Sequence, residues 1–132
     1  GVTENNAHPH VSSDNRVVLV HNGIIENARE IRADLEAHGI KFHTETDTES
    51  AVQYLGYVYD GDPKAAIVKL TKRIRGAFAL VIMFYDKPNE IWVARRWSWA
   101  TRRTRASAPP TPRRCWSIRA TSGLWMTTRW RR

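Results

Sequence analysis

The sequence predicts an α+β domain in which an antiparallel sheet lies beneath helices, and three observations lead there. Strand-length β-branched runs alternate with stretches whose apolar residues recur at helical spacing. The most apolar run, Ala77 to Tyr85, leads through the turn Asp86-Lys87-Pro88-Asn89 into a second strand-like run. Helix starts and stops also fall where the periodicity changes, at Thr46-Asp47, at Pro63 and at Gly39.

In chain order, Gly1 to Asn15 is polar and rich in turn formers and reads as a loop. His8 and His10 stand two apart, but Pro9 keeps the backbone extended and no carboxylate or cysteine stands at ligand spacing, so no metal site is expected. On its own His8 reads as a hydrogen-bonding residue beneath a loop. Arg16 to Val20 reads as a strand, and Ile24, Ala28, Ile31 and Leu35 mark one face of a helix over about 26–38 that stops at Gly39. Between them His21-Asn22-Gly23-Ile24-Ile25-Glu26-Asn27 carries the chain from strand to helix. The plain reading of Asn-Gly is a turn, since both residues tolerate positive φ. The chemical reading is that such a junction presents main-chain N–H groups and a carboxamide above a strand end, the raw material of an oxyanion hole.

Ile40 to Thr44 alternates apolar and polar residues and reads as a short half-buried strand with His43 on the wet side. Thr46 and Glu49 have the spacing of a capping box, and Asp47 is an alternative cap, so a helix starts there and carries Ala51, Val52, Leu55 and Tyr59 inward. Asp47 is also a well-fixed carboxylate for a substrate ammonium group. Asp60-Gly61-Asp62 breaks that helix, Pro63 opens the next, and Ala66, Ile67, Leu70 and Ile74 keep its spacing up to Gly76. The run from Ala77 to Tyr85 is continuous enough to demand cover on both faces, and Glu90 to Arg95 returns antiparallel.

The 132 residues suit one domain, but the net charge of +8 is unevenly placed. Residues 1–96 hold twelve Lys and Arg and all thirteen acids, whereas residues 97–132 hold nine arginines, no acid and five of the six tryptophans. Arginines interleaved with tryptophans are the makings of a nucleic-acid-binding arm, the alternative function from a different class. The tail lacks any sustained period of 2 or 3.6, however, and is read as out of frame and disordered. One cysteine, Cys115, excludes a disulfide framework and any cysteine-rich zinc site. No apolar run reaches the ~18 residues of a membrane span, so a soluble cytoplasmic protein is expected. No cofactor is expected.

The ordered motifs go further. Asn6-Ala7-His8-Pro9-His10, His21-Asn22-Gly23-Ile24-Ile25-Glu26-Asn27, Glu45-Thr46-Asp47-Thr48-Glu49 and Arg75-Gly76-Ala77-Phe78-Ala79-Leu80-Val81 resemble the glutaminase domain of the glutamine–fructose-6-phosphate aminotransferase (glucosamine-6-phosphate synthase) family. The resemblance covers residues 1–96. It implies an N-terminal-nucleophile hydrolase fold, a four-layer αββα arrangement of antiparallel sheets, here incomplete. It implies that a first-residue cysteine attacks the side-chain amide of L-glutamine through a thioester, and that the ammonia passes to fructose 6-phosphate in a separate isomerase domain. By position, Asn22 and Gly23 are the implied oxyanion donors, Asp47 the implied holder of the glutamine α-ammonium, and His8 a residue of the loop near the site. The implied parent is a homo-oligomer.

The nucleophile and its Arg-Trp-Ala-Thr-His-Gly segment belong ahead of Gly1, and Cys115 matches neither, so the expectation is a partial domain inactive alone. Another class II amidotransferase with a different ammonia acceptor is the nearest alternative. Without its first strands, the apolar stretch from Phe78 to Tyr85 is expected to leave the product marginal or aggregation-prone.

Overall fold

A computed structural model describes residues 8–96 and the backbone of residues 125–129. Five strands, β1 (His10–Val11), β2 (Val17–Gly23), β3 (Phe78–Phe84), β4 (Glu90–Arg96) and β5 (Trp125–Arg129), form one antiparallel sheet in that spatial order. Three helices, α1 (Ala28–Ala37), α2 (Asp47–Val58) and α3 (Pro63–Arg73), lie between β2 and β3 in the sequence. α2 packs on β1 and β2, with α1 and α3 beside it.

The starts expected for α2 and α3 are present. Thr46 Oγ1 caps α2 by accepting from the Glu49 N–H at 3.3 Å. Asp62 Oδ1 caps α3 at the Ala65 N–H, with Pro63 inside the first turn. α1 ends one residue earlier than expected, with His38 as its cap. Its exposed face ties back to α3, because the Arg73 guanidinium reaches both Glu30 and Asp34.

Burial in the sheet alternates. Val17, Leu19 and His21 of β2 and Phe78, Leu80, Ile82 and Phe84 of β3 face the helices and meet Ile31, Leu35, Val52, Leu55, Ile67 and Leu70. Each such aliphatic side chain contributes about 1.5–3 kcal/mol. An exposed ion pair such as Arg16–Asp14 contributes about 0–1 kcal/mol, so the apolar layer between sheet and helices holds the fold.

Four expectations need correction. Ile40 to Thr44 forms no strand, because the backbone there is satisfied by side chains instead of a neighbouring strand. The buried Glu49 carboxylate accepts from the His43 N–H (2.7 Å), the Thr44 N–H (2.6 Å) and the Thr44 hydroxyl, and Arg32 donates to the Thr44 carbonyl. Glu49 therefore grips the segment ahead of the cap and does not close a reciprocal capping box. Ile24 is not on the helix face but 68% exposed; Ile25 is the buried neighbour, and the helix waits until Ala28. Residues 1–15 are not all loop, since His10 and Val11 pair with Leu19 and Val18.

The fourth concerns cover. Among the described residues the sheet carries helices on one face only, and Val11, Val20, Val81 and Met83 are exposed on the other. The second sheet of a four-layer arrangement is not among these residues. The tail reading falls mostly outside them, as does Cys115. The backbone of Trp125–Arg129 pairs antiparallel with β4.

An open apolar face of this kind drives association. The 132-residue polypeptide should bind an apolar dye and self-associate as its concentration rises, and Val20→Lys with Val81→Lys should suppress both, as read by light scattering.

Candidate active site

The end of β2 is shaped by two backbones that cross without side chains between them. Gly23 has φ +119, and a Cβ there would lie 2.3 Å from the Ala77 carbonyl oxygen. Gly76 has φ +121, and a Cβ there would lie 2.2 Å from the Ile24 carbonyl oxygen. Only glycine fits either position. The Ile24 N–H consequently reaches Ala77 O at 2.9 Å and the Glu26 N–H reaches Arg75 O at 2.9 Å.

These bonds assign the amides around Gly23. Bonded and non-bonded pairs alternate in an antiparallel ladder. Since Ile24 bonds to Ala77, the pair Asn22–Ala79 is bonded and Gly23–Phe78 is not. The Gly23 N–H therefore turns away from β3, toward the side where, among the described residues, β1 pairs with Val18 and Leu19. The next free amide along, Ile25 N–H, is taken by Asp47 Oδ2 at 2.9 Å. In a run of committed donors, that of Gly23 is directed outward. The exposed Asn22 adjoins it, and the two line a cleft of about 160 Å³ with Ala77, Phe78, Ala79 and Arg96. Arg96 is held there by the Thr71 and Ile74 carbonyls, over the Phe78 ring.

Asp47 comes to the same strand end from the first turn of α2. Besides the Ile25 amide it lies 3.8 Å, through Oδ1, from His21 Nδ1, and a third of its side chain remains exposed. His21 is buried and its Nδ1 shares a 3.0 Å hydrogen bond with Thr48 Oγ1. His8 is exposed and meets His10 ring edge to face at 5.3 Å. Asn22, Gly23 and Asp47 are thus gathered at one strand terminus, while the ring of His8 is set against His10 of β1. Among the described residues no cluster of three or more His, Cys, Asp or Glu is arranged to hold a metal.

Burial lowers the pKa of His10, and the neighbouring His8 lowers it further against the opposing pull of Glu49 and Asp47. Burial likewise lowers that of His21, with Asp47 opposing and His8 and His10 adding to the fall. Burial pushes the Glu49 carboxyl up, but the donors from Thr44, His43 and Gln53 outweigh it and hold it below the ordinary value.

Sequence reasoning missed Asn27, His21, Glu49 and Arg96 as contributors to this region. The signal for Asn27 and His21 lay in the same seven-residue stretch as Asn22 and Gly23. Nothing local could indicate their partners, which lie 27 to 48 residues away.

The antiparallel sheet under helices is a fold of the N-terminal-nucleophile hydrolase type, as its likeness to solved amidotransferases shows. A family model described as a glutamine amidotransferase domain matches residues 2–97, and the chain belongs to that family. It is 45% identical over 96 residues to the glutamine–fructose-6-phosphate aminotransferase (isomerizing) of Fusobacterium nucleatum, covering 73% of this chain and 16% of that protein. To the enzyme of the same name from Aquifex aeolicus it is 40% identical, covering 67% and 15%. The glutamine phosphoribosylpyrophosphate amidotransferase of B. subtilis superposes with a TM-score of 0.60 at 29% identity, over 70% of this chain and 20% of that one. The chain thus spans about a sixth of the curated relatives it matches. No helix among the described residues is long and apolar enough to cross a membrane.

The histidines set a pH dependence. Above pH 6.5 they are neutral folded or unfolded, so stability is fully present there. Below it the unfolded chain takes up protons that the buried rings resist, and stability is lost as the pH falls toward their lowered folded values. Urea midpoints should therefore drop between pH 7 and pH 5, and His10→Gln with His21→Gln should flatten that dependence.

Proposed function

We propose that this domain binds L-glutamine and helps to hydrolyse its side-chain amide, in an enzyme that delivers the ammonia to fructose 6-phosphate to make glucosamine 6-phosphate. The observation carrying the proposal is the outward Gly23 N–H beside Asn22, with Asp47 anchored two residues on at Ile25. In the enzyme that carries this domain, the thiolate of a cysteine other than Cys115 attacks the amide carbon, and the carbonyl π electrons move onto oxygen. The Gly23 N–H and the Asn22 side-chain N–H donate to that oxyanion, where preorganised donors are most effective. Collapse of the tetrahedral species expels ammonia, protonated on its way out, and leaves a thioester. Water then releases glutamate and regenerates the thiol.

Asp47 fixes the other end of the substrate. Its Oδ2 is occupied by the Ile25 amide, and its partly exposed carboxylate remains available to the α-ammonium of glutamine. His8 belongs to the loop beside this end. The amide-cleaving geometry does not itself choose the ammonia acceptor, since a phosphoribosylpyrophosphate amidotransferase shares the fold. Identities of 40–45% to aminotransferases acting on fructose 6-phosphate, against 29% to that enzyme, favour the sugar phosphate. The setting we infer is a cytoplasmic homo-oligomer. The arginine-rich tail enters none of these steps, and nucleic acid is not a proposed partner.

In the full-length enzyme carrying this domain, Asn22→Ala should lower kcat for glutamine hydrolysis by about 10² to 10³ with KM little changed. An unaltered rate would remove Asn22 from the oxyanion role. Asp47→Asn should instead raise KM for glutamine by about tenfold or more while sparing kcat, since it weakens a charge-assisted contact made equally in ground and transition states. Steady-state ammonia release measures both.

A further inference from the structure

We infer that Asn27 is a positioning residue for the oxyanion donors, an assignment that rests on the reading of Asn22 and Gly23 just given. Asn27 occupies the N-cap position of α1, where asparagine is among the preferred residues, yet its side chain makes no cap hydrogen bond. The carboxamide is spent elsewhere. Its Nδ2 donates to the Arg73 carbonyl at 2.9 Å and its Oδ1 accepts from the Arg75 N–H at 2.8 Å, across 46 and 48 residues of sequence. The side chain is buried, and both bonds are part-buried.

Those two bonds bracket Ile74 and lead directly into Gly76. The same short segment takes the Glu26 N–H at Arg75 O and the Ile24 N–H at Ala77 O. Asn27 therefore closes a clamp in which residues 73–77 run against residues 24–27, with the two glycines allowing the backbones to touch. What the clamp holds is the end of the ladder in which the Asn22–Gly23 peptide, the one that carries the Gly23 N–H, is set. With the Ile24–Ala77 and Asn22–Ala79 pairs bonded, the Gly23 N–H, which lies trans to the Asn22 carbonyl in their shared peptide, is turned outward from β3. Release of the 73–75 segment would let the strand end rotate and carry the donor away from the developing negative charge. A displacement of about 1 Å is enough to cost around a hundredfold in rate.

The alternative role is structural, with Asn27 merely tying α1 to α3, and the two roles separate experimentally. In the full-length enzyme, Asn27→Ser can cap α1 but cannot span to Arg73 and Arg75. Asn27→Asp keeps the acceptor for the Arg75 N–H and replaces the donor to the Arg73 carbonyl by an oxygen. Both should lower kcat for glutamine hydrolysis by about tenfold to a hundredfold, with KM for glutamine within about twofold of the parent. Rates are taken per folded enzyme, from the cooperative unfolding amplitude of each sample. Should Asn27→Ala fail to fold, these two milder variants carry the test. Parent-like kcat in Asn27→Ser, or a loss confined to KM or to thermal stability, would overturn the assignment. Asn22→Ala, assayed alongside, keeps the outcomes distinct. If it alone slows hydrolysis, the positioning role is wrong and the oxyanion reading stands. If it too is unaltered, that reading is what has failed.

Discussion

The contact on which the rest depends is the crossing of two bare backbones at the head of the sheet, Gly23-Ile24 against Gly76-Ala77. A side chain at either glycine would sit within 2.3 Å of a carbonyl oxygen on the opposite segment. The close approach extends the β2·β3 ladder beyond its last side-chain pair and determines which amides are consumed and which one is turned outward. Local conformation, sheet register and donor direction are thus a single decision taken at two residues 53 positions apart in the chain.

The helices were legible because their signals are local. Thr46, Asp62 and Pro63 act within three residues of the groups they cap, and the buried positions of α3, Pro63, Ala66, Ile67, Leu70 and Thr71, follow the 3.6-residue period. The segment at residues 40–44 was misleading for the opposite reason. Its alternation is real, with Phe42 half-buried and Lys41 and His43 exposed, but a strand needs a neighbour and among the described residues none pairs with it. A carboxylate and a guanidinium supply the bonds a neighbour would have made. Periodicity reports which way side chains point, not what satisfies the backbone.

The site was legible in part. Asn22, Gly23 and Asp47 stand in motifs that the family resemblance marks, and the structure gathers them at one strand end. Ile24 was misassigned because its spacing to Ala28 and Ile31 imitates a helix face, whereas its amide had already been claimed by Ala77. Asn27 looked like an ordinary residue at a helix start; only the tertiary arrangement reveals that its carboxamide serves two distant backbone groups.

The first turn of α2 has a mechanical consequence. Three consecutive side chains leave it in three directions: Asp47 to the Ile25 amide, Thr48 to the His21 ring, and Glu49 to the backbone of residues 43 and 44. That turn is a joint at which a strand end, a buried ring and an irregular segment are bolted to one rigid rod. A load applied at Asp47 is shared at once by all three. On the proposed reading of Asp47, a substrate held there would pull on a braced strut, with the whole helix behind it, and not on a lone flexible carboxylate.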